Sequence, residues 1–107
     1  MIPEVTDRSF DRIIENSPTP VLVEFWSPIC RNCTALLYEL DQLKEEKGED
    51  LAIYKMDVTE NHQIPAEYEI SSLPALALFS KGRFVRFIGG LGKKSAIESA
   101  VEKALRK

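Results

Sequence analysis

Apolar and polar positions along this 107-residue chain change period several times, and each change marks an element. Phe10, Ile13 and Ile14 stand at i, i+3, i+4 with Thr6 or Asp7 as a ready N-cap, which predicts a first helix over residues 7–16, ended by "NSPTP". "VLVEFW" (21–26) is apolar on both alternating faces apart from Glu24, the pattern of a strand covered on both sides of its sheet. Beyond Pro28, Leu36, Leu40 and Leu43 recur at i, i+4, i+7 with Leu37 widening the stripe. They predict a long helix from Arg31 to Lys47, stopped by Gly48. "LAIYKM" (51–56) is a further short strand, and a brief helix follows over 62–69, where Pro65 is tolerated only in the first turn. "ALALF" and "RFVRFIG" flank "SKG", which is hairpin spacing with a glycine for a left-handed position. Last, Ile97, Val101 and Leu105 recur every four residues with alanines beside them, while Glu98, Glu102 and Arg106 take the opposite side of a closing amphipathic helix. The order is αβαβαββα, with one more short-strand candidate at "IPEV". Parallel strands joined by helices and then a hairpin predict an α/β fold: a central mixed sheet flanked by helices on both faces.

The length suits one domain spanning 1–107 and leaves no room for a second. Hydrophobic residues make up 44% and charged residues 29%, a globular mixture rather than a disordered one. Fourteen basic against seventeen acidic side chains give a net charge of −3, which supplies no basic footprint for nucleic acid. The apolar runs "PVLVEFW" and "LPALALF" fall well short of the roughly 20 residues that span a bilayer, so no membrane partner is expected. "MIPEVTDRSF" is polar and lacks the apolar core of a secretory signal, and two cysteines do not make a disulfide scaffold. With Met1 taken as the natural start, the expected compartment is the cytoplasm, where a disulfide is more often transient than structural.

Both cysteines lie in "WSPICRNCTALL", where the strand ends and the long helix begins. The first-turn N–H groups of a helix have no internal partners, and its dipole places about half a positive charge there. A thiolate at Cys30 is therefore stabilised, and its pKa is expected below the free value of about 8.5, with the Arg31 cation assisting. The i, i+3 spacing brings Cys33 onto the same face within disulfide reach. Two other uses of the pair are weaker. A structural zinc site takes four ligands, and only Cys30, Cys33 and His62 are present, His62 reading as a solvated loop residue. A static staple closing so short a loop restricts the unfolded chain very little.

Three ordered blocks make this chain resemble the thioredoxin family from about Pro3 to Ala104. "VLVEFWSPICRNC" is similar to the family's strand and active-site block, matching Trp26 and Ser27 ahead of the dithiol. "YEISSLPALALF" resembles the block with the family's cis-proline, which falls on Pro74. "SKGRFVRFIGGL" resembles the closing hairpin and the glycine ahead of the last helix, at Gly82 and Gly89. The resemblance implies a thioredoxin fold and a thiol–disulfide oxidoreductase, a protein-disulfide reductase with no cofactor and no metal. Cys30 would be the attacking sulfur and Cys33 the resolving one. Glu24, a carboxylate within an apolar strand, would take up the Cys33 proton through water and have a raised pKa. Trp26, Ile29, Leu73, Pro74 and Gly89 would meet the substrate, Leu73 through its main chain. Partners would be protein disulfides together with a thioredoxin reductase or a small thiol as electron donor, and the chain is expected to act as a monomer.

The chain departs from the family at three places. Arg31-Asn32 replaces the usual Gly-Pro between the cysteines, which removes a fixed φ and adds an N–H donor at the helix start. Both residues are expected to modulate the Cys30 pKa and to raise the potential above the thioredoxin value of about −270 mV, toward about −200 mV. Ile29 stands where tryptophan is common, altering the exposed rim. Tyr38 replaces a proline that kinks the family's helix, so a straighter helix is expected. These changes leave two alternatives open: an oxidase or isomerase of the same fold, or a redox-sensing binding module without turnover.

Overall fold

A computed structural model describes residues 1–89 and 92–106. Among these residues the elements are α1 (Phe10–Asn16), β1 (Val21–Trp26), α2 (Arg31–Lys47), β2 (Ala52–Asp57), α3 (Gln63–Glu67), β3 (Ala75–Ser80), β4 (Arg83–Phe87) and α4 (Lys94–Leu105). The strands form one sheet in the order β2-β1-β3-β4, with β1 and β2 parallel and β1/β3 and β3/β4 antiparallel. This is the expected mixed sheet. β1 lies inside it, and its first five residues are buried, as an apolar strand with both faces covered must be.

Strand alternation divides the core into two layers. Leu22, Ile53, Leu76 and Leu78 meet the apolar stripe of α2 (Leu36, Leu40, Leu43) and of α4 (Ile97, Val101) on one face. Val23, Phe25, Met56, Ala77 and Phe79 meet α1 and α3 through Phe10, Ile14 and Ile64 on the other. Glu24 has the parity of Leu22, so its carboxyl group points into the α2 layer.

The end of α2 and the β3–β4 hairpin both use the left-handed region. Gly48 closes α2 at φ 56°, its N–H donating to the Lys44 carbonyl. Lys81 and Gly82, at φ 55° and 79°, make the two-residue turn of the β3–β4 hairpin, a type whose twist matches the flanking strands.

The ends of the elements differ from expectation for identifiable reasons. α1 starts at Phe10 rather than residue 7 because Asp7 is engaged elsewhere. Its carboxylate accepts the backbone N–H groups of His62 and Gln63 at 3.0 Å each and of Ile64 at 2.9 Å, capping α3 from a distant segment. The Asp7 N–H donates to Asn61 Oδ1 at 2.8 Å, which locks the two segments together. α3 is shorter than 62–69 because Glu69 turns into the left-handed region at φ 55°. "IPEV" contributes a single parallel bridge, Glu4 to Lys55, rather than a strand. α2 runs unbroken for 17 residues through the exposed Tyr38, in keeping with the absence of proline there.

Partial burial would raise the Asp7 pKa, yet the three N–H bonds outweigh it and hold the carboxyl below its ordinary 3.8. Its contribution to stability is therefore present above that value and lost as pH falls through the lower folded one. Asp7→Ala is expected to cost about 1–2 kcal/mol in a urea titration at pH 7, and less at pH 3. Asp11→Ala, on an exposed position of α1, should stay within about 0.5 kcal/mol of the parent.

Candidate functional site

The site begins where β1 stops. Ser27, Pro28, Ile29 and Cys30 form a turn closed by the Cys30 N–H donating to the Ser27 carbonyl at 3.1 Å, with proline at the position that favours its fixed φ. The turn delivers Cys30 to the N-cap of α2 in extended geometry, φ −89° and ψ 108°. There its Sγ does what a serine or aspartate oxygen does in other helices: it accepts the Cys33 N–H, at 3.1 Å. Cys30 and Cys33 are joined as a disulfide, with Cα atoms 5.2 Å apart. No acidic residue lies in the first turn of α2 to oppose negative charge at the sulfur.

The two sulfurs are unequally placed. Cys33 is fully buried and begins the inward stripe of α2, whereas Cys30 is only half-buried. Arg31 and Asn32 between them are exposed, and Ile29 stands out at 92% exposure immediately before the pair. Pro74 follows Leu73 through a cis peptide bond, as the motif leads one to expect.

A groove of about 870 Å³ opens beside the dithiol, lined by Asn32, Leu36, Glu39, Pro74, Phe87 and Gly89 among others. It thus joins the start of α2, the proline segment ahead of β3 and the end of β4. Glu39 also accepts the Lys94 N–H at 2.9 Å, fastening the first turn of α4 to α2, and the Lys94 ammonium pairs with Glu46. Of the five residues expected at a substrate, Pro74 and Gly89 line this groove and Ile29 stands exposed beside Cys30. Leu73 instead turns its side chain onto the α1/α3 core layer, and Trp26 is half-buried at the end of β1. Over the Trp26 ring, 4.7 Å from its centre, lies the Lys55 ammonium. Glu39, Glu69 and Phe87 as groove residues were not anticipated; Asn32 was, though only as a modulator of Cys30. His62 is exposed and uses its N–H on Asp7.

Glu24 is fully buried, and neither carboxyl oxygen has a hydrogen-bond partner among the described residues. Burial pushes its pKa from 4.5 to about 8, although the Lys55 charge beside it in the β1–β2 register pulls the other way. Strand parity turns the carboxyl group to the α2 side of the sheet, and Cys33 is the first buried residue of α2. With a value of about 8, the carboxyl group can both hold and release a proton near neutral pH.

Comparison with known proteins gives one consistent result. A family model for thioredoxin matches residues 1–103. The chain is 36% identical over 102 residues to a thioredoxin of Porphyra purpurea, 95% of each chain being covered. It is 35% identical over 103 residues to one of Listeria monocytogenes, covering 96% of this chain and 98% of the relative. With one of Rickettsia prowazekii it shares 32% identity over 105 residues, covering 98% of this chain and all of the relative.

The raised Glu24 value has a sign that can be tested on the oxidised protein. Stability is greatest below the unfolded value of 4.5 and falls as pH rises toward about 8, because only the unfolded chain readily gives up this proton. At about 1.36 kcal/mol per pH unit of displacement, denaturant titrations at pH 5 and 9 should differ by about 4 kcal/mol from this group alone. Glu24→Gln should remove that difference and leave the rest of the pH profile in place.

Proposed function

This chain belongs to the thioredoxin family and is a thiol–disulfide oxidoreductase that reduces protein disulfides, and from that premise we propose how its residues divide the work. Cys30 is the nucleophile. The observation that carries this assignment is its Sγ at the N-cap of α2, accepting the Cys33 N–H while still reachable from solvent. A thiolate in that position keeps the hydrogen bond and gains the helix dipole.

In the reduced protein the Cys30 thiolate attacks one sulfur of a substrate disulfide. An S–S bond forms between Cys30 and that sulfur, and the substrate's other sulfur leaves as a thiolate that takes a proton from water. Cys33 then gives up its proton, attacks Cys30 Sγ, and forms the Cys30–Cys33 disulfide as the second substrate sulfur departs. Two electrons pass to the substrate, and the protein is left oxidised until a reductase or small thiol returns it to the dithiol. Glu24 takes the proton from Cys33, directly or through water: strand parity turns its carboxyl group to the α2 side of the sheet, where Cys33 begins the buried stripe, and burial raises its pKa to about 8.

The groove beside Pro74 receives the substrate polypeptide on either side of its reacting cysteine, with Gly89 on one wall and Ile29 on the rim. Leu73 offers main-chain groups, and Trp26 orders the strand end from below. All of these residues come from one chain, which suits a monomer working in a reducing compartment such as the cytoplasm. No helix among the described residues is long and apolar enough to cross a membrane.

Cys30→Ser is expected to abolish reduction of insulin disulfides, whereas Cys33→Ser should retain the first attack and accumulate mixed disulfides detectable by mass. Unchanged turnover in the Cys30 variant refutes the assignment. A second test concerns direction. Asn32 supplies an N–H where the family has proline, and with Arg31 it favours the reduced form, so the couple should titrate above about −270 mV in a glutathione buffer. A potential at or below that value would show that the Arg31-Asn32 pair does not make the disulfide more oxidising.

A further inference from the structure

Phe84 and Phe87 on β4 are 40% and 43% exposed, although each ring also packs on the protein. Three residues apart, they would face opposite sides of a regular strand. The irregularity between Leu78 and Phe79 brings them onto one face, Phe84 opposite Phe79 and Phe87 opposite Ala77. Their ring centres lie 5.1 Å apart, and Phe84 sits 5.4 Å from Tyr68 and 5.7 Å from Phe79. The result is an aromatic ledge whose geometry is fixed before anything binds, so a partner pays little to order it.

The ledge is continuous with the groove. Phe87 lines both, and Glu69, the residue after Tyr68, lines the groove through its left-handed turn. From this continuity we infer that the ledge extends the substrate site. An extended segment of the disulfide-bearing polypeptide runs from the dithiol through the groove and sets an aromatic or large aliphatic side chain on Phe84, Phe87 and Tyr68. The inference rests on the groove's being the substrate site.

A second copy of the chain is a poorer occupant. β4 is the edge of the sheet, but its Arg83 and Arg86 and the irregular pairing beside them are the devices that keep an edge from pairing with its like. Two copies joined there would also bring arginines together. A segment already tethered through its cysteine meets no such opposition, and the tether gives it a high local concentration.

The molecule is 31 Å in its longest dimension, which an extended chain crosses in about nine residues. The experiment uses disulfide-linked peptides in which one phenylalanine, in an otherwise Ser/Gly sequence, is walked through about nine positions on each side of the cysteine. For the unaltered protein, kcat/KM should rise about tenfold, through KM, at one separation on one side. Phe84→Ser should remove that maximum, measured as the ratio to the rate with hydroxyethyl disulfide, and Phe84→Leu should restore most of it. A rate indifferent to the position of the phenylalanine overturns the inference, and the positional series decides even if Phe84→Ser does not fold. Equal proportional loss on every substrate in the folded variant also overturns it. Failure of the unaltered protein to turn over any disulfide refutes the dithiol reading itself, and this inference with it.

Discussion

A single hydrogen bond, from the Cys33 N–H to Cys30 Sγ at the head of α2, organises the rest of this protein. A helix must satisfy or expose its first N–H groups, and here a sulfur stands in the place of the usual cap oxygen. That choice puts reactive chemistry at the end of a 17-residue helix whose inward stripe is packed on the sheet. The sulfur cannot drift from the helix tip without releasing the cap, and the helix cannot shift without disturbing a core layer. Rigid support and chemical activation come from the same contact.

The surrounding structure keeps that contact in register with what a substrate meets. β1 ends in the Ser27–Cys30 turn, and β3 begins just after Pro74, so two adjacent strands deliver the dithiol and the proline to one end of the sheet. Carboxylates fix the neighbouring helices: Asp7 ties the start of α3 to the N-terminal segment, and Glu39 ties the start of α4 to α2. Glu24 is the exception. It is buried without a partner among the described residues, a cost that a purely structural strand would avoid by placing an aliphatic side chain there. Such a violation is intelligible under the proposed proton transfer between Glu24 and Cys33.

Much of this was legible in the residues. β1 and α2 were readable to their ends because both are long, strongly patterned and bounded by unambiguous signals, proline before and Gly48 after. The dithiol and the odd carboxylate stood out for the same reason, as chemistry set against a regular apolar background, whereas the cis-proline came from the resemblance to the thioredoxin family. What was not legible depends on contacts between distant segments. Asp7 reads as a local N-cap for α1, yet its partners lie more than fifty residues away. Phe84 and Phe87 read as opposite faces of a strand until the irregular pairing rotates them together. Glu39 carries no signal in the sequence, because nothing in its neighbours announces Lys94.

The central claim is that the helix tip makes Cys30 an anion at neutral pH. It is tested most directly by following thiolate absorbance, or the rate of alkylation, across pH in the reduced protein, with Cys33→Ser isolating the first sulfur. The account predicts a Cys30 pKa well below the ordinary thiol value of about 8.5. A pKa at or above that value in the folded, reduced protein would contradict it.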